Sequence, residues 1–121
     1  MTPIKGLVLA AHGSRLKASN EEVTEFTQVL ASSLIDQYKH IVPAFLELAK
    51  PSIEDSIDAA VAAGCTDITV VPYFLAAGRH VREDVPEIIE ERQKAHPHVT
   101  IQATPHLGVS EALKQAVIHL L

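Results

Sequence analysis

Three residues far apart in the chain are of types that ligate divalent metals: His12 in AAHGSR, Glu47 in FLELAK and His80 in FLAAGRHVREDVP. Neutral imidazole suits iron, cobalt, nickel or zinc. Two imidazoles and one carboxylate leave coordination positions open, as a catalytic metal site requires and a closed structural site does not. An unprotonated His or Glu can also accept a proton. Basic residues gather in and just beside the same stretches: Arg15, Lys17, Lys50, Arg79 and Arg82 out of 10 Lys and Arg in all. The planar fork of Arg matches carboxylate or phosphate, so the combination suits a metal handled together with a polyanionic small molecule. Gly13 and Gly78, beside the two histidines, let the backbone approach a ligand closely. Each feature also has an ordinary reading. A loop histidine is commonly a solvated residue, Glu47 can pair with Lys50, and the five cations can be plain surface charge.

For these residues to act together, the fold must bring them to one edge. Short apolar runs alternate with longer helical patterns, the signature of a four-stranded, mainly parallel α/β sheet with helices on both faces. Residues 4–11 read as the first strand. Ser19 with Glu22 predicts a capping box, and Val23, Phe26, Leu30, Leu34 and Tyr38 recur at helical spacing through about Lys39. A second strand spans 41–46, and Ser52 with Asp55 caps a helix that stops at Gly64. The run 67–74 is nearly unbroken in its apolarity, as expected of a strand buried on both faces. Asp84 reads as the cap of a third helix with Pro86 in its first turn. A short polar strand at 99–103 fits a sheet edge, and a last helix follows from about Ser110.

Pro43 and Pro72 each remove a ladder donor and predict bends or lost pairing. Residues 41–55 and 70–84 align at an offset of 29, sharing Val42/Val71, Pro43/Pro72, Phe45/Phe74, Leu46/Leu75, Glu54/Glu83 and Asp55/Asp84, which predicts two units that turn alike. In an open parallel sheet, ligands bind beyond the carboxyl ends of the strands. That rule selects HGSRLKASN, ELAK, AAGRHVRED and TPHLG, and so His12, Glu47 and His80. His106 reads as structural or peripheral, and His40, His96, His98 and His119 as solvated.

The 121 residues form one domain, 1–121, with 47% hydrophobic and 21% charged residues, a balance that excludes disorder. No apolar run is long enough to span a bilayer, and the N-terminus reads as a buried strand rather than a signal peptide. Cys65 alone forms no internal disulfide and fits a reducing, cytoplasmic setting as a small buried residue. A net charge of −5, two Tyr, three Phe and no Trp argue against nucleic acid or an anionic membrane as partner.

AAHGSR with Asn20 downstream, FLELAKPSIEDSI and VVPYFLAAGRHVREDVPEI together resemble the CbiX/SirB sirohydrochlorin chelatases of the class II superfamily, in their short single-domain form. The resemblance runs from Leu7 to about Ile89. It implies a flavodoxin-like chelatase fold and insertion of Co2+, or of Fe2+ or Ni2+, into sirohydrochlorin, a polycarboxylate tetrapyrrole, for cobalamin or sirohaem-type products. It implies that His12 and His80 bind metal and assist insertion, and that Glu47 fills the family's acidic position as a third catalytic group. Ser14, Arg15, Arg79 and Arg82 fall where substrate would be held. It implies a metal that is substrate, no permanently bound cofactor, and a homodimer with the active site in a cleft between the sheets. Two features depart from the family pattern. TPHLGVSE places His106 ahead of Leu-Gly without the usual His-Pro pair, and no His-rich segment is present.

Three rival readings remain. A metal or tetrapyrrole carrier without turnover would keep the same residues. A histidine phosphatase would place Arg where Ala11 stands, and no phosphate loop is found. A flavodoxin-like electron carrier would have a first loop rich in Ser and Thr, whereas HGSRLKASN is basic.

Overall fold

The computed structural model describes residues 2–76 and 78–121, without the side chains of His80 and Val81. The elements in chain order are β1 (Lys5–Ala11), α1 (Lys17–Ser33), β2 (His40–Phe45), α2 (Ile53–Ala62), β3 (Asp67–Pro72), α3 (Val85–Ala95), β4 (Thr100–Ala103) and α4 (Glu111–Leu120). A π-helical turn (His80–Asp84) leads into α3, and a 3-10 turn (Leu107–Val109) precedes α4. The sheet is parallel throughout, in the order β2-β1-β3-β4. The chain leaves β1 toward one side for β2 and later continues on the other side from β3 to β4. The connections therefore diverge between β1 and β3, the switch point at which doubly wound sheets open a crevice.

β1 sits inside the sheet and is buried from its second residue onward. Val8 and Ala10 pack with Ala44, Ile68, Val70 and Ile101 against Ile53, Ile57 and Ala60 of α2, and Ile88 and Ile89 of α3 close this side. The opposite face, with Leu7 and Leu9, meets Phe26 and Leu30 of α1 and Leu34 just beyond it around a cavity of about 260 Å³. That side is thinly covered. Phe26 stays 41% exposed, and α4 contains no buried residue, leaving Val117, Ile118 and Leu120 exposed. Cys65 is buried as expected, and burial pushes its thiol up from the ordinary value. Among the described residues no helix is long and apolar enough to cross a membrane.

The helices on the well-covered side are tied by polar bonds. Arg92 Nη1 donates to both oxygens of Asp58 at 3.0 Å, and His96 Nε2–H donates to Asp58 Oδ1 at 2.8 Å. His96 is thus part of an α2–α3 cross-link rather than a solvated residue, and His40 is half-buried at the start of β2. Partial burial raises the Asp58 pKa, but the His96 and Arg92 hydrogen bonds and the Arg92 charge outweigh it, so the carboxyl sits below the usual carboxylate range. A depressed carboxyl pKa contributes stability above the unfolded value, and this is lost as pH falls through the folded value. The urea midpoint should therefore fall more steeply between pH 5 and about pH 3 in the wild type than in Asp58→Asn. Equal slopes in the two proteins would mean that the cross-link contributes nothing.

Several local readings change. α1 begins at Lys17 with Leu16 as its cap residue and no side-chain cap bond, so the Ser19–Glu22 box does not form. The start is organised from upstream instead: Ser14 Oγ accepts from Leu16 N at 3.0 Å, and Asn20 holds the Ser14 backbone through both its amide oxygen and its amide nitrogen. α1 ends at Ser33, and Leu34 and Tyr38 continue the apolar spacing through a separate turn. Ser52 does cap α2, accepting from Asp55 N at 3.1 Å, and Ser110 caps α4. Asp84 has helical φ and ψ and makes no side-chain cap bond, because the π turn already supplies the helix before it.

The internal echo does not turn alike in its two copies. Val42 pairs with Val8 and Val71 with Leu9, a one-residue shift that puts the matching residues on opposite faces. The prolines sit where a missing donor costs least. Pro43 lies on an edge strand, and Pro72 ends β3 beyond the last pair with β4.

Candidate metal site at the carboxyl edge of the sheet

His12 follows directly on β1. The pairing of β1 with β2 continues past both strands, since Leu46 N donates to Ala11 O at 2.9 Å and Glu47 N to His12 O at 3.0 Å. Glu47 is thereby carried beside His12 by the backbone. Gly13 makes this possible. It has φ +96°, and a Cβ there would run into the Glu47 carbonyl oxygen. Two residues that are 35 apart in sequence are so clamped to one place by ladder bonds and one glycine.

The His12 ring is oriented on two sides. Its Nδ1 lies 3.1 Å from Gly13 O, and a carbonyl only accepts, so Nδ1 carries the proton. Phe74 meets the ring edge to face, with centroids 6.5 Å apart at 87°. In the neutral ring Nε2 is then the lone-pair nitrogen. It lies 3.7 Å from Glu47 Oε2, and both side chains are close to half exposed. Two metal bonds of about 2.1 Å each span up to about 4.2 Å, so one cation can bridge this pair. The second-atom hydrogen bond that fixes the tautomer is the arrangement found behind metal-binding histidines generally.

The other candidates fall as follows. His80 opens the π turn on the β3 side of the β1/β3 crevice, but its side chain lies outside the described residues. Among the described residues no group of three or more His, Cys, Asp or Glu is placed to hold a metal, so the pair His12–Glu47 is what the geometry brings together. Ser14 uses its hydroxyl oxygen as an acceptor within its own loop and retains the O–H as a donor. Arg15, Arg79 and Arg82 are exposed. Arg79 Nε lies 3.6 Å from Glu83 one turn away, an exposed pair worth little and easily exchanged for a ligand carboxylate. His106 precedes the 3-10 turn, and its backbone oxygen accepts from Val109 N.

Sequence reasoning missed three supports of this edge. Phe74 braces His12. Gly108 donates its N–H to Phe74 O at 2.9 Å, and a Cβ at Gly108 would strike the Leu75 carbonyl. Leu48 holds φ 66°, a left-handed conformation that L side chains avoid. The first and last depend on close approach and dihedral angle, which no residue pattern announces, whereas Gly108 could have been suspected from its place in TPHLG.

Comparison with known proteins adds three findings to this geometry. A family model described as CbiX matches residues 6–121. The chain is 32% identical over 95% of its length to a Bacillus subtilis protein named sirohydrochlorin ferrochelatase, of which it covers 43%. It is likewise 32% identical over 78% of its length to a Methanosarcina acetivorans protein named sirohydrochlorin cobaltochelatase, covering 71% of that protein. The chain thus spans about half the length of some curated relatives and most of a shorter one. The crystal structure of a CbiX protein from Marinobacter aquaeolei VT8 superposes with a TM-score of 0.77 at 34% identity, covering 96% of this chain and 92% of that one.

Proposed function

The chain belongs to the CbiX family, and from that membership we propose that it inserts a divalent metal into sirohydrochlorin, with Co2+ as the first choice of substrate ion and Fe2+ or Ni2+ as alternatives. The observation that carries the reading is the His12 Nε2–Glu47 carboxylate pair, held 3.7 Å apart by backbone clamps at the carboxyl edge of the sheet.

Metallation needs a partly desolvated ion, a macrocycle held over it, and a base for two pyrrole protons. His12 presents its lone pair because Gly13 O holds the proton at the other nitrogen. Glu47 offers a second ligand atom and a proton acceptor. His80, on the far side of the crevice, is proposed as the partner imidazole. Arg15, Arg79 and Arg82 hold peripheral carboxylates of the ring, and Ser14 O–H donates to another. Orienting the ring over the ion lowers the barrier by position alone, before any bond changes.

A homodimer is part of this reading. One four-stranded sheet gives a large flat ring only a shelf, and a second lobe would close a cleft over it. The exposed apolar residues of α4 and the thin cover over the α1 face support a second copy. So does the coexistence of relatives twice this length with a shorter one.

The test is anaerobic metallation of sirohydrochlorin with Co2+, Fe2+ and Ni2+ in parallel, followed by the change in the ring's absorbance. Turnover above the spontaneous rate with at least one ion is expected. Stoichiometric binding of ring or metal without turnover would instead identify a carrier.

A further inference from the structure

Four large aliphatic side chains stand out to solvent on the loops around His12. Leu16 is 64% exposed, Leu48 53%, Leu75 70% and Val109 59%, one on each of the four connections beyond the strand ends. These loops are joined in the order of their strands. Glu47 is bonded to His12, His12 packs on Phe74, and Gly108 is bonded to Phe74. A single exposed leucine needs no explanation. Four on loops tethered to one another supply the apolar side chains from which a ligand surface can be built. Leu48 is moreover held out at φ 66°, a strained backbone of the kind retained in ligand-binding loops.

The charges among them narrow the occupant. Arg15, Lys50 and Arg82 on the same loops make no ion pair among the described residues. Two such rims in direct contact would oppose like charges, so a cleft between two copies calls for an anionic occupant. A flat macrocycle with apolar faces and carboxylates on its periphery offers both kinds of complement at once. We infer that Leu16, Leu48, Leu75 and Val109 form an apolar bed for one face of the macrocycle, with the guanidinium groups reaching its edge. This rests on the proposed function.

The experiment is a titration of metal-free sirohydrochlorin, under anaerobic conditions and at several salt concentrations, into wild type, Leu48→Ser/Leu75→Ser and Leu48→Met/Leu75→Met. Sedimentation and Co2+ binding are measured on each protein. Affinity should fall about tenfold per leucine in the serine variant and stay within about threefold of wild type in the methionine variant. The loss should be the same at low and high salt, because an apolar contact is not screened. Co2+ binding and sedimentation should not change. Serine variants that bind the ring as tightly as wild type, or that lose affinity only together with a change in sedimentation, would overturn the bed while leaving the chelatase reading standing. A wild type that binds no sirohydrochlorin would remove both.

Discussion

His12→Ala should metallate sirohydrochlorin about 10²–10⁴-fold more slowly than the wild type, the range expected for losing a positioned proton acceptor, while folding normally. The side chain is 44% exposed, and its bond to Gly13 O contributes about 1 kcal/mol at most. The backbone clamp to Glu47 uses the His12 carbonyl and survives the substitution. Stability should therefore shift little. The ring is proposed to be held by Arg15, Arg79, Arg82 and the aliphatic rim, so the loss should fall on kcat and on Co2+ binding, with KM for sirohydrochlorin nearly unchanged. Such a split separates a residue acting on the metal from one that merely supports a loop. A folded His12→Ala protein that works within a few-fold of wild type would remove His12 from the mechanism. His80→Ala is expected to behave in the same way.

Much of this edge can be read before any coordinates exist, because the signals are local and strong. Apolar runs at strand spacing placed β1, β2 and β4 to within a residue or two, and Ser52 and Ser110 announced the starts of α2 and α4. The rule that ligands bind beyond strand ends then put His12 and Glu47 in one region, where their side chains meet at 3.7 Å. The failures are of another kind. Ser19 and Glu22 fit a capping box by type, but Ser14 and Asn20, bonded to each other across six residues, had already fixed where α1 begins. Asp84 fits a cap by type, but a π turn ahead of it moved the true helix start upstream. The matching strings around Val42 and Val71 lost their equivalence to a one-residue difference in register. His96 looked like surface because the partner that claims it, Asp58, is 38 residues away. In each case a bond, turn or register set elsewhere in the chain decided between options that the residue types alone left equal.

Gly13 carries the other large expected effect, because it holds the site together without touching a metal or a ring. Gly13→Ala meets two penalties. At φ +96° an L residue pays about 1–2 kcal/mol of left-handed strain. The new methyl also runs into the Glu47 carbonyl, which is backbone and can yield only if the Glu47 N–His12 O bond of 3.0 Å is given up. The sum, about 3 kcal/mol, corresponds to a fall of about 10 °C in Tm for a domain of this size. Gly64→Ala provides the reference. Gly64 has φ +95° and nothing within 4 Å of an added Cβ, so that variant carries the strain without the collision, and it lies at the far end of α2 from the site. It should lose about 1 kcal/mol and metallate at the wild-type rate. Gly13→Ala, assayed well below its own Tm, should be slower by about 10²-fold, the usual result of displacing a catalytic group by about 1 Å. Its ring affinity should fall much less, since the cations and aliphatics on the other loops remain. If Gly13→Ala and Gly64→Ala prove equally active and equally destabilised, the close approach of loop to loop does not set the distance between His12 and Glu47, and that pair is not held for metallation.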